Sequence, residues 1–254
     1  MAKTNPPNKK KLGPFAKPAN ITREYERSLR KVASEVGRII EAFQTKVGIT
    51  LPSIHTAQKT LEDYAKILKP WAQLKGQQLA EASDLADRRA WAKATAEMGR
   101  GIKLELRGNT RVGRTMREIM ERQVHYITSL PIEAGERVHK LVIEGLSDST
   151  RAEEIAKDIA NSGEVTKSRA MLIARTETTR AATALTQARA LDIGSETYIW
   201  RTVHDGRVRE LHRELDGQTF RWDSPPIAGE HGERAHPGEI YNCRCRPEPI
   251  IPSQ

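Results

Sequence analysis

Cys243 and Cys245 are the only cysteines in the chain, and a single residue separates them. Alternate side chains of an extended segment point to one side, so both sulfurs can share a face. A disulfide at this spacing would be strained. Two neighbouring thiolates are better suited to a metal, and two imidazoles would complete a tetrahedral zinc site. His212, His231 and His236 lie in the same C-terminal stretch. A structural zinc on His212, His236, Cys243 and Cys245 is one expectation. The other is that the cysteines are small buried hydrophobes and the histidines pack or cap. A metal would explain how ~60 residues with few large apolar side chains hold a fold.

A second group is His204 and Asp205, followed by Arg207 and Arg209. A His, an Asp and nearby Arg can act as base, metal ligand and phosphate clamp. Asp205-Gly206 is equally what a plain turn needs, and that reading is preferred. Arg175 and Glu177 do not face each other at i,i+2 on a helix, so one can be buried while the other is exposed. Arg175 is expected to pair with an acid of the C-terminal region. Trp200 and Trp222 sit on alternating patterns and read as core rather than as a base-stacking platform. Trp71 and Trp91 read as packing anchors on helical ground.

The 254 residues carry a net charge of +9, and aromatics make up 5% of them. Residues 1–20 hold Lys3, Lys9, Lys10, Lys11 and Lys17 and no acid, and they read as a disordered basic arm suited to nucleic-acid phosphates. Residues 196–254 hold eight Arg, no Lys and ten acids, a net of −2, which leaves +11 on the first 195. No run is long and apolar enough for a membrane span. The first twenty residues lack the apolar stretch of a secretory signal, so synthesis in a reducing cytoplasm is expected.

The elements that must position these groups are mostly helical. Leu29, Val32, Val36, Ile39, Ile40 and Phe43 fall on one helical face, and Pro52 interrupts. A helix over 54–68 carries Leu61, Tyr64, Ala65 and Leu68. Pro70 opens another through Trp71, Leu74, Leu85 and Trp91 to about Leu106, and Gly108-Asn109 breaks it. Helices follow over about 114–128 and 132–145, separated at Pro131. Thr150 with Glu153 has capping-box spacing and opens a short helix through Ile159, closed by Asn161-Ser162-Gly163. A long Ala-rich helix over 166–192 stops at Gly194. Beyond it, 196–203 alternates as a strand with Tyr198, Trp200 and Thr202 on one face. A short helix over 208–215, an Asp216-Gly217 turn, a strand with Phe220 and Trp222, and a loop over 223–240 follow. The predicted fold class is α+β. An extended, mainly helical region (21–148) follows the arm (1–20). The C-terminal domain (149–254) then contains the 166–192 helix and a small strand-rich module (195–254).

Four patterns occur in order along the last eighty residues: Arg175-Thr176-Glu177; Trp200 with His204, Asp205 and Arg209; His212 before Leu215-Asp216-Gly217; and Asn242-Cys243-Arg244-Cys245 after His236-Pro237. Together they resemble the C-terminal domain of the phage Mu F-like head-morphogenesis family, over roughly residues 150–250. Here Gly238 to Tyr241 separates His-Pro from Asn-Cys-Arg-Cys, which are often nearly adjacent in that family. The resemblance implies a minor structural protein of a tailed-bacteriophage head, made in the host bacterial cytoplasm. It implies attachment to the portal or the inner face of the major capsid protein, and a role in head assembly or genome delivery, with packaged double-stranded DNA nearby. It implies no catalytic activity. The alternative is a nuclease or toxin-like effector using the C-terminal His/Asp/Arg/Cys cluster.

Overall fold

The computed structural model describes residues 19–47, 51–97, 111–147 and 152–252. The five lysines of the arm, the Gly108-Asn109 break and the Thr150 end of the capping pair lie outside the described residues. Four long helices dominate: α1 (Ala19–Val47), α2 (Leu51–Glu97), α3 (Arg111–Ser147) and α4 (Ala152–Asp192). A small module follows, built of β1 (Thr197–Arg201), the short α5 (Glu210–Leu215), β2 (Thr219–Arg221) and β3 (Arg246–Pro249). The chain is thus mostly helical with a small antiparallel sheet, the α+β class expected from its patterning.

The helices are fewer and longer than local signals predict. Pro52 stands in the first turn of α2, where a missing N–H costs little. Pro70 and Pro131 lie inside α2 and α3 rather than between helices. In the turn before Pro131 the Thr128 and Ser129 hydroxyls bond back to the carbonyls of Val124 and Tyr126, so these polar side chains are accommodated within the helix. Asn161-Ser162-Gly163 does not close a helix either. Ser162 is buried and accepts a bond from Arg137, and a Cβ on Gly163 would sit 3.6 Å from the Gly37 Cα. These small residues therefore mark a close crossing of α1 and α4, not a turn. Gly76 does the same for α2 and α3: a Cβ there would meet the Met120 carbonyl at 2.9 Å.

Helix α1 packs along α4, and α2 packs along α3. Leu29 and Val32 of α1, Leu68 and Leu79 of α2, Ile127 and Leu130 of α3, and Ile173 of α4 share one buried core. Val36 and Ile40 join Leu61, Val138, Val142 and Ile155 in a second. Isolated helices are marginal in water, so these shared faces are what hold the long helices in shape. Leu74 and Leu85, on the expected apolar face of α2, are about half exposed; Leu79 and the alanines beside it make the contacts instead.

Helix α4 ends on Gly194 at φ +77°, with the Ser195 N–H reaching back to the Ala190 carbonyl. The module then builds a three-stranded antiparallel sheet in the order β2-β1-β3. Tyr198 and Trp200 of β1 point into a core with Leu215, Trp222, Cys243 and Cys245. That core also takes Trp91 from α2 and Ala190 from α4, so the module is seated on the helices rather than tethered to them.

A candidate site where the helical clamp meets the sulfur corner

Three residues on one stretch of α4, Thr176, Arg180 and Thr183, reach from the helices to the module, around a buried Glu177. Glu177 is 1% exposed, and at that depth a carboxylate needs several partners. It accepts from Arg122 at 2.9 Å, Gln123 at 3.0 Å and Arg180 at 3.0 Å. Gln123 in turn accepts the Tyr25 hydroxyl at 2.8 Å, so α1, α3 and α4 are linked through one network. Arg180 continues outward and donates to the Glu239 carbonyl at 2.6 Å. Thr183 donates to the Pro237 carbonyl at 2.6 Å, and the Asn242 N–H donates to the Thr176 hydroxyl at 3.2 Å. The loop carrying His236-Pro237-Gly238 is therefore held down by side chains one and two turns apart. Gly238 has φ +92°, and a Cβ there would lie 2.6 Å from Thr179 Cγ2, so only glycine fits between loop and helix.

Arg175 leaves the helix on the exposed side and meets Glu26 of α1 at 3.4 Å. This ion pair runs to α1 rather than to the acid of the C-terminal region that the sequence suggests, and Arg175 also borders the space between α1 and the module.

The sulfur corner lies in the module core. His212, Cys243 and Cys245 are all buried, with their ligand atoms within 4.8 Å of one another. His212 Nδ1 is 3.5 Å from Cys243 Sγ and 3.6 Å from Cys245 Sγ. His212 Nε2 faces the Ala228 carbonyl at 3.0 Å. A carbonyl only accepts, so Nε2 carries a proton and Nδ1 is the nitrogen turned toward the sulfurs. The cysteines lie in the extended segment just before β3, not within a strand, yet still turn to one side. Their shared environment splits their acidities. A hydrogen bond from Cys245, with His212 adding to it, pulls Cys243 down to about 4, while the same bond and burial push Cys245 up. Burial lowers His212, but the Cys243 sulfur outweighs it and the net shift is upward.

His236 does not join this corner. Its Nδ1 lies 3.1 Å from the Tyr198 hydroxyl and its Nε2 3.4 Å from the Gln187 amide, so both ring nitrogens are engaged elsewhere. Burial lowers its pKa, as suits a neutral ring packed edge-on to Tyr198 and tilted against Trp222. His231 is exposed.

His204 and Asp205 are held apart from one another. His204, at φ 52°, lies 3.5 Å from Asp216. Asp205 is bound through both oxygens by Arg244 and accepts the Arg207 N–H. The Arg244 guanidinium holds the Asp205 carboxyl down to about 2. Asp216 accepts the Thr202 N–H at 2.7 Å, and Gly217, at φ +81°, completes that turn. Arg209 donates to the Tyr241 carbonyl at 2.9 Å. Trp200 is fully buried and meets the His212 ring edge-on at 5.3 Å.

Beside the corner a cavity of about 710 Å³ opens between α1, α4 and the module, with Cys243 and Asn242 in its wall. A smaller one, of about 20 Å³, is lined by His212 and both cysteines. The clamp residues Arg180, Thr183 and Gly238 escaped sequence reasoning. The threonines spaced along the Ala-rich helix were the available signal, since a hydroxyl every few residues on a buried face must find acceptors.

Among known proteins, residues 136–248 match the family described as phage Mu protein F like protein. Over 155 residues the chain is 30% identical to a protein of Haemophilus influenzae (strain Rd) described as "Uncharacterized protein". That alignment takes in 61% of this chain and 34% of the relative, so the chain spans about a third of the relative's length. No solved structure matches.

Proposed function

We propose, from the match of residues 136–248 to the phage Mu protein F like family, that the chain is a minor head protein of a tailed phage. It docks on the portal or the inner capsid surface during head assembly or genome delivery. The family match over the clamp and the module is the observation that carries this reading. The helices supply the docking surface and the lysines of the arm meet packaged DNA. No helix among the described residues is long and apolar enough to cross a membrane. Crosslinking of intact particles followed by peptide mapping tests the docking. Links from α1–α3 to the portal or major capsid protein are expected, and links to neither would overturn it.

The same reading includes a zinc ion at the sulfur corner. Tetrahedral zinc, at about 2.0–2.1 Å from nitrogen and 2.3 Å from sulfur, places those ligands about 3.5 Å apart. The two nitrogen–sulfur distances here are 3.5 and 3.6 Å. A zinc-bound histidine usually donates its other N–H to a carbonyl, as His212 does to Ala228. Three protein ligands leave a fourth position, and the 20 Å³ space beside them is about one water in size. The ion would fasten the β3 entry to α5. Elemental analysis after metal-free purification should find about one zinc per chain, and less than about 0.2 would count against the site. Cobalt substitution gives a second readout, since two thiolate ligands add a charge-transfer absorption that His or water ligands alone lack.

A further inference from the structure

Six arginines line the larger cavity. Arg23 comes from α1, Arg175 from α4, Arg207 and Arg209 from the turns after β1, and Arg244 and Arg246 from the entry to β3. Among the described residues two carboxylates form ion pairs with them, and Glu248 and Asp216 act on Arg246 from farther off. Asp205 is shared by Arg244 and Arg207, and Glu26 is shared by Arg175 and Arg30. Even with both paired acids and the Cys243 sulfur counted as full negative charges against the cavity, six less three leaves three positive charges. Among the described residues Arg23, Arg209 and Arg246 form no ion pair; Arg23 and Arg209 donate to backbone carbonyls.

We propose that this cavity binds phosphate carried by a nucleotide or by a single nucleic-acid strand. The cations are all arginine, whose planar forks match phosphate oxygens in pairs. An excess of about three charges is more than one carboxylate side chain neutralises, whereas a diphosphate or consecutive strand phosphates match it. The volume lies within the usual span for small-ligand sites and is far more than a lone phosphate fills. Ala19 and Thr22 bring the first turn of α1 to the wall, and that turn holds no acid. The eighteen residues before Ala19 contain no Asp or Glu, so the preceding segment offers no anionic side chain of its own. Asn242, held at φ 56° with its N–H spent on Thr176, adds a neutral amide at the rim. The inference stands whether or not the chain resides in a virion.

The test is fluorescence polarisation on the full chain with a labelled single-stranded DNA dodecamer, with ADP and polyglutamate as competitors. Arg23→Gln/Arg207→Gln alters two exposed cavity arginines, removes only the looser 3.8 Å Arg207 contact to Asp205 and leaves Arg244 in place on that acid, and Lys9→Gln/Lys10→Gln/Lys11→Gln is the arm control. The cavity variant should bind strand and ADP at least about tenfold more weakly, and the slope of log affinity on log salt should fall by about 1.4 for two lost contacts. The arm variant should bind ADP as wild type does. A strand that outcompetes ADP identifies the polymer as the source of the phosphate, and equal binding identifies the nucleotide. Unchanged ADP affinity in the cavity variant, no ADP binding by wild type, or displacement of the strand by polyglutamate but not ADP would each overturn the proposal.

Discussion

Arg180 and Glu239 are joined by a 2.6 Å bond from guanidinium to carbonyl, and the same guanidinium rests on buried Glu177. The helices and the module thus share one polar joint. Tyr241 lies against the Arg180 guanidinium at 5.2 Å, which shields part of that joint from water.

Glu177→Ala should therefore loosen both halves. It leaves Arg180 and Gln123 without their acceptor in a buried place. Breaking such a network costs about 3–5 kcal/mol. Urea unfolding followed by tryptophan fluorescence measures it, and a loss below ~1 kcal/mol would mean that the joint carries little.

Gly238→Ala tests the close approach of loop to helix. The new methyl meets Thr179 and Thr183, and the φ of +92° is strained for alanine. A loss of about 1–3 kcal/mol is expected. Gly206→Ala, where a Cβ meets nothing within 4 Å, serves as the comparison and should change stability much less.

The Asp205–Arg244 pair predicts an acid dependence. The folded pKa of Asp205, about 2, lies below its ordinary 3.8. Its contribution is complete above 3.8 and is lost as pH falls toward 2, because the unfolded chain takes up the proton first. Wild type should therefore lose more stability than Arg244→Gln between pH 4 and pH 2. Parallel curves for the two proteins would contradict the pairing.

The His204–Asp205 pair predicts an absence of turnover. With Asp205 held through both oxygens by Arg244 and His204 set against Asp216, the two side chains are not paired with each other as a base and its activator. DNA and RNA should survive incubation with zinc or magnesium. Cleavage that disappears in His204→Ala would restore the nuclease alternative.

What could be read from the sequence follows from how far each signal reaches. Alternation gave Tyr198 and Trp200 their buried face, and Asp216-Gly217 its turn, because both are settled by adjacent residues. The Cys-x-Cys pair placed two sulfurs on one side for the same reason. Which histidine meets them depends on the path of thirty intervening residues. His212 and His236 were indistinguishable by type, and the fold chose His212 by handing His236 to Tyr198. The prolines and the Asn161-Ser162-Gly163 stretch misled for a related reason. Packing across α1–α4 and α2–α3 outweighs local breaking signals, and small residues at a helix crossing look in sequence like a turn.

The claim on which the account turns is that this chain is built into a phage head. Peptide quantification of gradient-purified particles, from the phage whose genome encodes it, asks this directly. The account predicts peptides from α1 through β3 in fixed proportion to the portal protein, at a few copies per particle. Infectious particles that contain no peptide of this chain would contradict it.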